Sequence, residues 1–355
     1  MKLAICAGGT GGHIFPGISV AEVFTAQDAK NEVVFIGTTE GLEGKLVPQA
    51  GFRLLYVEAH PFQGRSPVFK VLTLVHLLKG IFMSARILRA ERPDAILGMG
   101  GFTSVPTIIA GVLLGIPSFL HEQNVQPGLA NKFLSKCTKK IFISFEETKK
   151  YFTTKRTVHT GNPIRKKLAK SDAEKPKGSF GIFIFGGSQG ARSINNAIIT
   201  LLPYLESYKN TIMYHQTGRD DFDNLNAIYK NTSVSHEIFP FTNEMEKYYS
   251  LSDVVIARAG ASTIFELAYF NKAAILVPYP YSAGGHQWKN ASEVENIGGA
   301  YVIANEEATG GRLFDTIKHL MNEPELLKEM GENIGKIYIA DAAERIIGGI
   351  KHGLS

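Results

Sequence analysis

Two glycine clusters carry the most suggestive chemistry in the chain. Gly8-Gly9-Thr10-Gly11-Gly12 follows an apolar run and leads straight into His13, and Gly186-Gly187-Ser188-Gln189-Gly190 follows Phe183-Ile184-Phe185. A glycine loop between a strand and a helix exposes backbone N–H groups at the positive end of the helix dipole, an arrangement suited to phosphate. Neither cluster has the G-x-G-x-x-G spacing with an acid about 20 residues on that a dinucleotide site needs, and the second lacks a Walker A lysine. Each is thus either a phosphate cradle or a tight turn. His13 is either a capping or packing histidine or a general base. Its ordinary pKa is near neutrality, and a helix N-terminus favours the neutral, proton-accepting form.

Other polar loops close apolar runs. Gly98-Met99-Gly100-Gly101-Phe102 is a third glycine loop, and His121-Glu122-Gln123-Asn124 ends another strand-like run. In residues 258–266 small side chains keep a helix start open, and Glu266 on its first turns is either a helix-dipole partner or a bidentate acceptor for a ribose diol. Residues 278–290 form a polar loop in which His286 and Gln287 could meet sugar hydroxyls. Asp221-Phe222-Asp223 has the D-x-D form of some metal sites, but it precedes an amphipathic helix, where acids favour the N-terminus. No metal site is assigned.

The elements that must position these loops are short apolar runs alternating with longer amphipathic segments, which predicts an α/β chain with parallel sheets. Strands are expected near 2–6, 32–37, 53–57, 94–97, 117–121 and 139–143, then near 180–185, 211–215, 234–238, 253–257, 273–277 and 300–303. The polar stretch 161–178 reads as a linker. Each half therefore opens a Rossmann-like, doubly wound sheet, with a cleft between their carboxyl ends. The expected domains are 1–160 and 161–336, with a helix over 337–353 after the last strand and the segment 337–355 returning to the first domain. A length of 355 residues supports two cores.

Apolar residues at 44% and charged residues at 20% exclude a disordered or coiled-coil chain. Two cysteines, Cys6 and Cys137, form no disulfide framework and read as buried thiols of a soluble intracellular protein. Residues 1–160 hold 18 Lys/Arg against 11 Asp/Glu, a balance of +7, whereas 161–355 balance at −2, with 20 against 22. The basic half points to an anionic surface or ligand. Two acid-free runs, 59–90 and 123–145, hold basic residues among apolar ones. In the first, Val71, Val75, Leu78 and Phe82 are expected to face the core, leaving Phe69, Leu72 and Met83 among the cations. Such a patch over 68–89 and 132–140 suits anionic lipid, at about 1 kcal/mol per cation.

Taken together, GGTGGHIFP at 8–16, HEQN at 121–124, GNPIR at 161–165, GGSQGAR at 186–192 and RAGASTIFE at 258–266 closely resemble the MurG family. Its members are UDP-N-acetylglucosamine transferases of peptidoglycan synthesis, and the likeness spans nearly the whole chain in order. The resemblance implies the GT-B architecture of two Rossmann-like domains facing across a cleft. It also implies transfer of GlcNAc from UDP-GlcNAc to the muramyl 4-hydroxyl of lipid I, with inversion, at the cytoplasmic face of the cell membrane. By the same resemblance Thr10, Gly11 and Gly12 meet the diphosphate side of the cleft. Asn124, Arg165 and Ser188 belong to the donor site, and backbone groups near Thr242 read uracil. Ala261, Ser262 and Thr263 form the ribose turn with Glu266 on the diol, and Gln287 or His286 meets the sugar. The base is His13 or Glu122, with His13 preferred. No cofactor, metal or nucleic acid is implied. A related lipid glucosyltransferase, a 2-epimerase and a non-catalytic nucleotide-sugar binder are the competing readings, and turnover of UDP-GlcNAc without acceptor would mark the epimerase.

Overall fold

The computed structural model describes residues 1–355 apart from 40, 60–66, 154–155, 166–167, 169–170 and 188–189, and of 67–73 the backbone alone. The chain forms two compact units, Met1–Arg165 with Ile339–Ser355, and Lys166–Tyr338. Unit 1 contains β1 (Lys2–Cys6), α1 (Gly11–Gln27), β2 (Glu32–Gly37), α2 (Glu43–Gln49), β3 (Arg53–Tyr56), α3 (Pro67–Glu91) and β4 (Ala95–Gly98). It continues through α4 (Ser104–Leu113), β5 (Ser118–Glu122), α5 (Leu129–Leu134), β6 (Lys140–Ile143) and β7 (Thr157–His159). The strands pair in parallel in the order β3-β2-β1-β4-β5-β6-β7.

Unit 2 repeats the plan. Its elements are β8 (Phe180–Phe185), α6 (Arg192–Leu205), β9 (Thr211–Gln216), α7 (Phe222–Tyr229), β10 (Ser235–Phe239), α8 (Met245–Leu251) and β11 (Val254–Ala257). Then come α9 (Ala261–Phe270), β12 (Ala273–Leu276), α10 (His286–Asn296), β13 (Ala300–Val302), α11 (Gly310–Asn322) and α12 (Pro324–Gly335). The parallel order is β10-β9-β8-β11-β12-β13. Both orders reverse beside the first strand, the doubly wound arrangement of the expected α/β class.

Continuous apolar strands follow from helices covering both faces: β4, β11 and β12 are buried at every residue. Helices are apolar on one stripe, as in α6, whose Ile194, Ala197, Ile198, Leu201, Leu202 and Leu205 line the unit 2 core. The twelve expected strands form within a residue or two of their predicted places. β7 escaped the sequence because three residues with an exposed centre leave no period to detect.

Three further expectations need correction. The terminal helix α13 is Ala342–Leu354, because residues 337–341 carry the chain from unit 2 back to unit 1, where α13 packs on α1 and β6. Cys6 is buried, and its thiol is pushed up to about 12, but Cys137 is exposed in the turn after α5. On α3 the predicted face is reversed. Val75, Leu78 and Phe82 are exposed, whereas Leu77, Ile81 and Met83 pack on the core. The reason is that small residues set the interface. A Cβ on Gly80 would lie 2.5 Å from the Glu58 carbonyl oxygen, and buried Ser84 meets the Thr107 hydroxyl of α4 at 3.3 Å. Phe69, Leu72 and Val71 lie outside the described side chains.

Candidate active site

In unit 1 the loops after β1 and β4 flank the point where strand order reverses, where doubly wound sheets bind ligands. Thr10 is the exposed N-cap of α1, and its hydroxyl makes no capping bond. Gly11 and Gly12 open the helix, and the His13 N–H donates to the Thr10 carbonyl at 3.1 Å. The His13 ring lies against the third glycine loop: a Cβ on Gly100 would come within 3.4 Å of Nε2. With φ at +95° and +78°, Gly100 and Gly101 occupy a conformation that side chains oppose. Arg165 stacks 4.5 Å from the Phe15 ring centroid, and Ser19 Oγ donates to the Ile164 carbonyl at 2.8 Å, which lays the 161–165 segment along α1. Thr10, Gly11, Gly12, His13 and Arg165 therefore gather at one helix start.

Glu122 lies behind this group and is 2% exposed. Its Oε1 accepts from the Asn124 N–H (3.0 Å) and Nδ2 (3.2 Å), and its Oε2 accepts from the Gly128 N–H (3.2 Å) and Asn131 Nδ2 (2.8 Å). Desolvation raises its pKa, against the pull of these four donors. Asn131 Nδ2 also borders Gly100, 3.5 Å from where a Cβ there would lie. Next to it, His121 is fully buried. Its Nδ1 accepts from Gln123 Nε2 at 2.9 Å and its Nε2 donates to the Gly161 carbonyl at 3.2 Å, while burial lowers its pKa to about 4.

A residue that the sequence did not single out braces the first loop. Glu43, with no exposed surface, accepts from the Gly9 N–H at 3.1 Å and from the Thr38 N–H and hydroxyl at 2.9 and 2.8 Å. Glycines wall it in, since a Cβ on Gly8, Gly37 or Gly41 would press on its side chain at under 3.0 Å.

In unit 2 the loops after β8 and β11 take the equivalent position. Ser188 lies outside the described residues, but its neighbours are fixed. Gln216 Nε2 donates to the Gly187 carbonyl at 3.0 Å, and Gln216 Oε1 accepts from the Thr242 N–H at 3.2 Å. Ala261, Ser262 and Thr263 form the first turn of α9, and Ser262 Oγ is buried without a hydrogen-bond partner among the described residues. Glu266 is the sixth residue of α9, past the first turn; it is 7% exposed and accepts from Tyr249 Oη at 3.1 Å. His286 begins α10 with Nδ1 2.8 Å from the Ala283 carbonyl, and burial lowers its pKa. Gln287 Oε1 accepts from the Tyr279 N–H at 2.9 Å, so this side chain shapes its own loop.

Two more details emerge from the structure. Arg258 donates through Nη1 to the Val277 and Pro278 carbonyls and to Asn305 Oδ1, and through Nη2 to Ser193 Oγ, clipping three segments together. Asp221 is the N-cap residue of α7 but makes no capping bond. Its carboxylate accepts from Asn195 Nδ2 at 2.8 Å and faces Arg192 Nε at 3.5 Å. Nothing in the spacing of the chain signals Glu43. Gln216 could have been found, because His215-Gln216 is a polar pair at a strand's carboxyl end, like His121-Glu122.

Comparison with known proteins adds a specific family. The glycosyltransferase family 28 N-terminal domain matches residues 3–143, and the family's C-terminal domain matches 181–346. A protein of Geotalea daltonii named UDP-N-acetylglucosamine–N-acetylmuramyl-(pentapeptide) pyrophosphoryl-undecaprenol N-acetylglucosamine transferase is 42% identical over 352 residues, covering 98% of this chain and 96% of that protein. One of the same name from Geotalea uraniireducens is 41% identical over 355 residues, covering 98% and 97%. The crystal structure of Acinetobacter baumannii MurG matches with a TM-score of 0.80 at 29% identity, over 99% of each chain.

Proposed function

Because the chain belongs to glycosyltransferase family 28, we propose that it moves GlcNAc from UDP-GlcNAc to the muramyl 4-hydroxyl of lipid I, forming lipid II with inversion at the anomeric carbon. Relatives of nearly equal length carry the name of this transfer. The observation that carries the donor half is the start of α9. Its open first turn and the buried Ser262 hydroxyl are donors suited to a diphosphate, and Glu266 follows one turn later as an acceptor for the ribose diol. Unit 2 then takes UDP-GlcNAc, with Ser188 at the phosphate, backbone groups at Thr242 on uracil, and Gln287 or His286 toward the sugar.

Unit 1 takes the acceptor. In a single displacement the 4-hydroxyl oxygen bonds to the anomeric carbon while the bond from that carbon to UDP breaks. His13 accepts the hydroxyl proton, and UDP keeps the bonding pair. Backbone N–H groups at the helix starts stabilise the charge that grows on the diphosphate. His13 is preferred as the base because the Glu122 carboxylate is buried and already receives four donors.

The acceptor's lipid places the reaction at the cytoplasmic face of the cell membrane. No helix among the described residues is long and apolar enough to cross a membrane. Attachment is instead through unit 1, by Leu74, Val75, Leu78 and Phe82 of α3 and Leu129 and Phe133 of α5, all more than half exposed, beside Arg86, Arg89 and Lys136, with the charge of Lys79 met by Glu58 at 2.6 Å. Lys132 and Lys139 contribute less, since one lies over the Tyr151 ring and the other donates to the Gly353 carbonyl. The deciding experiment is transfer of labelled GlcNAc to a lipid I analogue by the purified chain, with and without chelator. Product in both is expected. Turnover of UDP-GlcNAc without acceptor, or no product at all, would overturn the proposal.

A further inference from the structure

Gln216 closes β9, the strand between β8 and β10, and stands opposite the last residue of each: Phe185 on one side and Phe239 on the other. Both neighbouring strands therefore end at its level. Their chains continue into the loop at Gly187 and the loop at Thr242, and the 2%-exposed Gln216 amide bonds to both. The two bonds have opposite polarity. Gly187 offers a carbonyl and needs a donor; Thr242 offers an N–H and needs an acceptor. At neutral pH a carboxamide supplies both from one planar group, whereas an ionised carboxylate of the same length only accepts. The next residue supports the same loop from below. Gly190 has φ at +79°, and a Cβ there would lie 2.2 Å from the Thr217 carbonyl oxygen. Both ends of the glycine loop thus rest on Gln216 and Thr217.

We propose that Gln216 is a positioning residue that locks the phosphate-binding glycine loop to the loop at Thr242, so that the two ends of a nucleoside diphosphate are gripped as one. The inference rests on the reading that unit 2 takes UDP-GlcNAc. With the bridge in place, Gly187 and Thr242 are already in register before binding, and the cost of bringing them together is borne by folding. Without it, a carbonyl and an N–H of two half-buried residues lose their partner.

The test is UDP binding by calorimetry at pH 8 and pH 5.5, for the wild type, Gln216→Met and Gln216→Glu, each checked by its melting temperature. Gln216→Met has nearly the same shape and loses both bonds, so it is expected to weaken UDP by roughly 10- to 100-fold at both pH values. Gln216→Glu retains the acceptor toward Thr242 but turns a charged oxygen toward the Gly187 carbonyl. Its affinity relative to wild type is expected to be low at pH 8 and to recover to within a few-fold at pH 5.5, where the protonated carboxyl donates again. The neighbouring titratable group does not confuse the result. His215 is held by Tyr229 and Asn195 on the opposite side of the strand, with its pKa lowered to about 3. A structural defect alone would not be mended by acid. Well-folded Gln216→Met that binds UDP like wild type, or Gln216→Glu that stays weak at pH 5.5, would overturn the inference alone. A wild type that ignores UDP would overturn the donor reading and the inference with it.

Discussion

Each unit holds a fully buried histidine, His121 in one and His215 in the other, with pKa values lowered from 6.5 to about 4 and about 3 by loss of solvent. Both rings are hydrogen-bonded in the neutral form, His215 through Tyr229 Oη at 3.0 Å and Asn195 Oδ1 at 3.1 Å. The unfolded chain takes up these protons near pH 6.5, while the native chain resists until about pH 4 or below. Stability is therefore complete above pH 6.5 and falls as pH drops through that value, by about 1.4 kcal/mol per pH unit for each ring. The urea midpoint is expected to be clearly lower at pH 5.0 than at pH 7.5. Equal midpoints would show that the rings are not held neutral. The catalytic histidine calls for a different measurement. His13→Ala is expected to lower kcat by about 10²–10⁴-fold with UDP affinity unchanged. Glu122→Gln, by contrast, is expected to lower the melting temperature, because an amide cannot accept from all four converging donors. If Glu122→Gln melts normally but loses turnover while His13→Ala keeps it, the base is Glu122.

At the scale of elements, the parallel strands were legible because burial on both faces writes an unbroken apolar run, and their terminal loops because glycines and polar residues follow each run at once. Helix faces were less legible. In α3 the closest approach to α4 uses Gly80 and Ser84, which carry little hydrophobic signal, so periodicity pointed the larger residues inward. The braces Glu43 and Arg258 were hidden for another reason. The bonds by which they brace reach up to 65 residues along the chain, and nothing local records such a bond. The corrected face yields a sharper prediction. Replacing Leu74, Leu78 and Phe82 together by Ser removes apolar surface that is 55–62% exposed and should leave folding and UDP binding intact. Co-sedimentation with anionic vesicles is expected to fall several-fold. Vesicle binding equal to wild type at low and high salt would mean that α3 is not the contact.

For the whole molecule, the consequential feature is that unit 1 contains both chain ends. α13 lays Ile346, Ile347 and Ile350 against the core beside α1, and its Gly349 and Gly353 sit flush on the stacked rings of Phe142 and Phe119, where a Cβ would meet ring carbons at 2.4 and 2.7 Å. Each buried isoleucine is worth about 1.5–3 kcal/mol. A chain ending at Tyr338 is therefore expected to lose the unit 1 melting transition while still binding UDP through unit 2. An unchanged melting profile would show that α13 is dispensable. The same geometry governs how the protein is made. On the ribosome the segment that begins first is completed last, because Phe119 and Phe142 await a helix that starts 200 residues after Phe142. At roughly 5–20 residues per second that interval is about 10–40 s. Throughout it the nascent chain carries an uncovered aromatic surface, while unit 2, encoded as one unbroken stretch, is free to fold ahead of it.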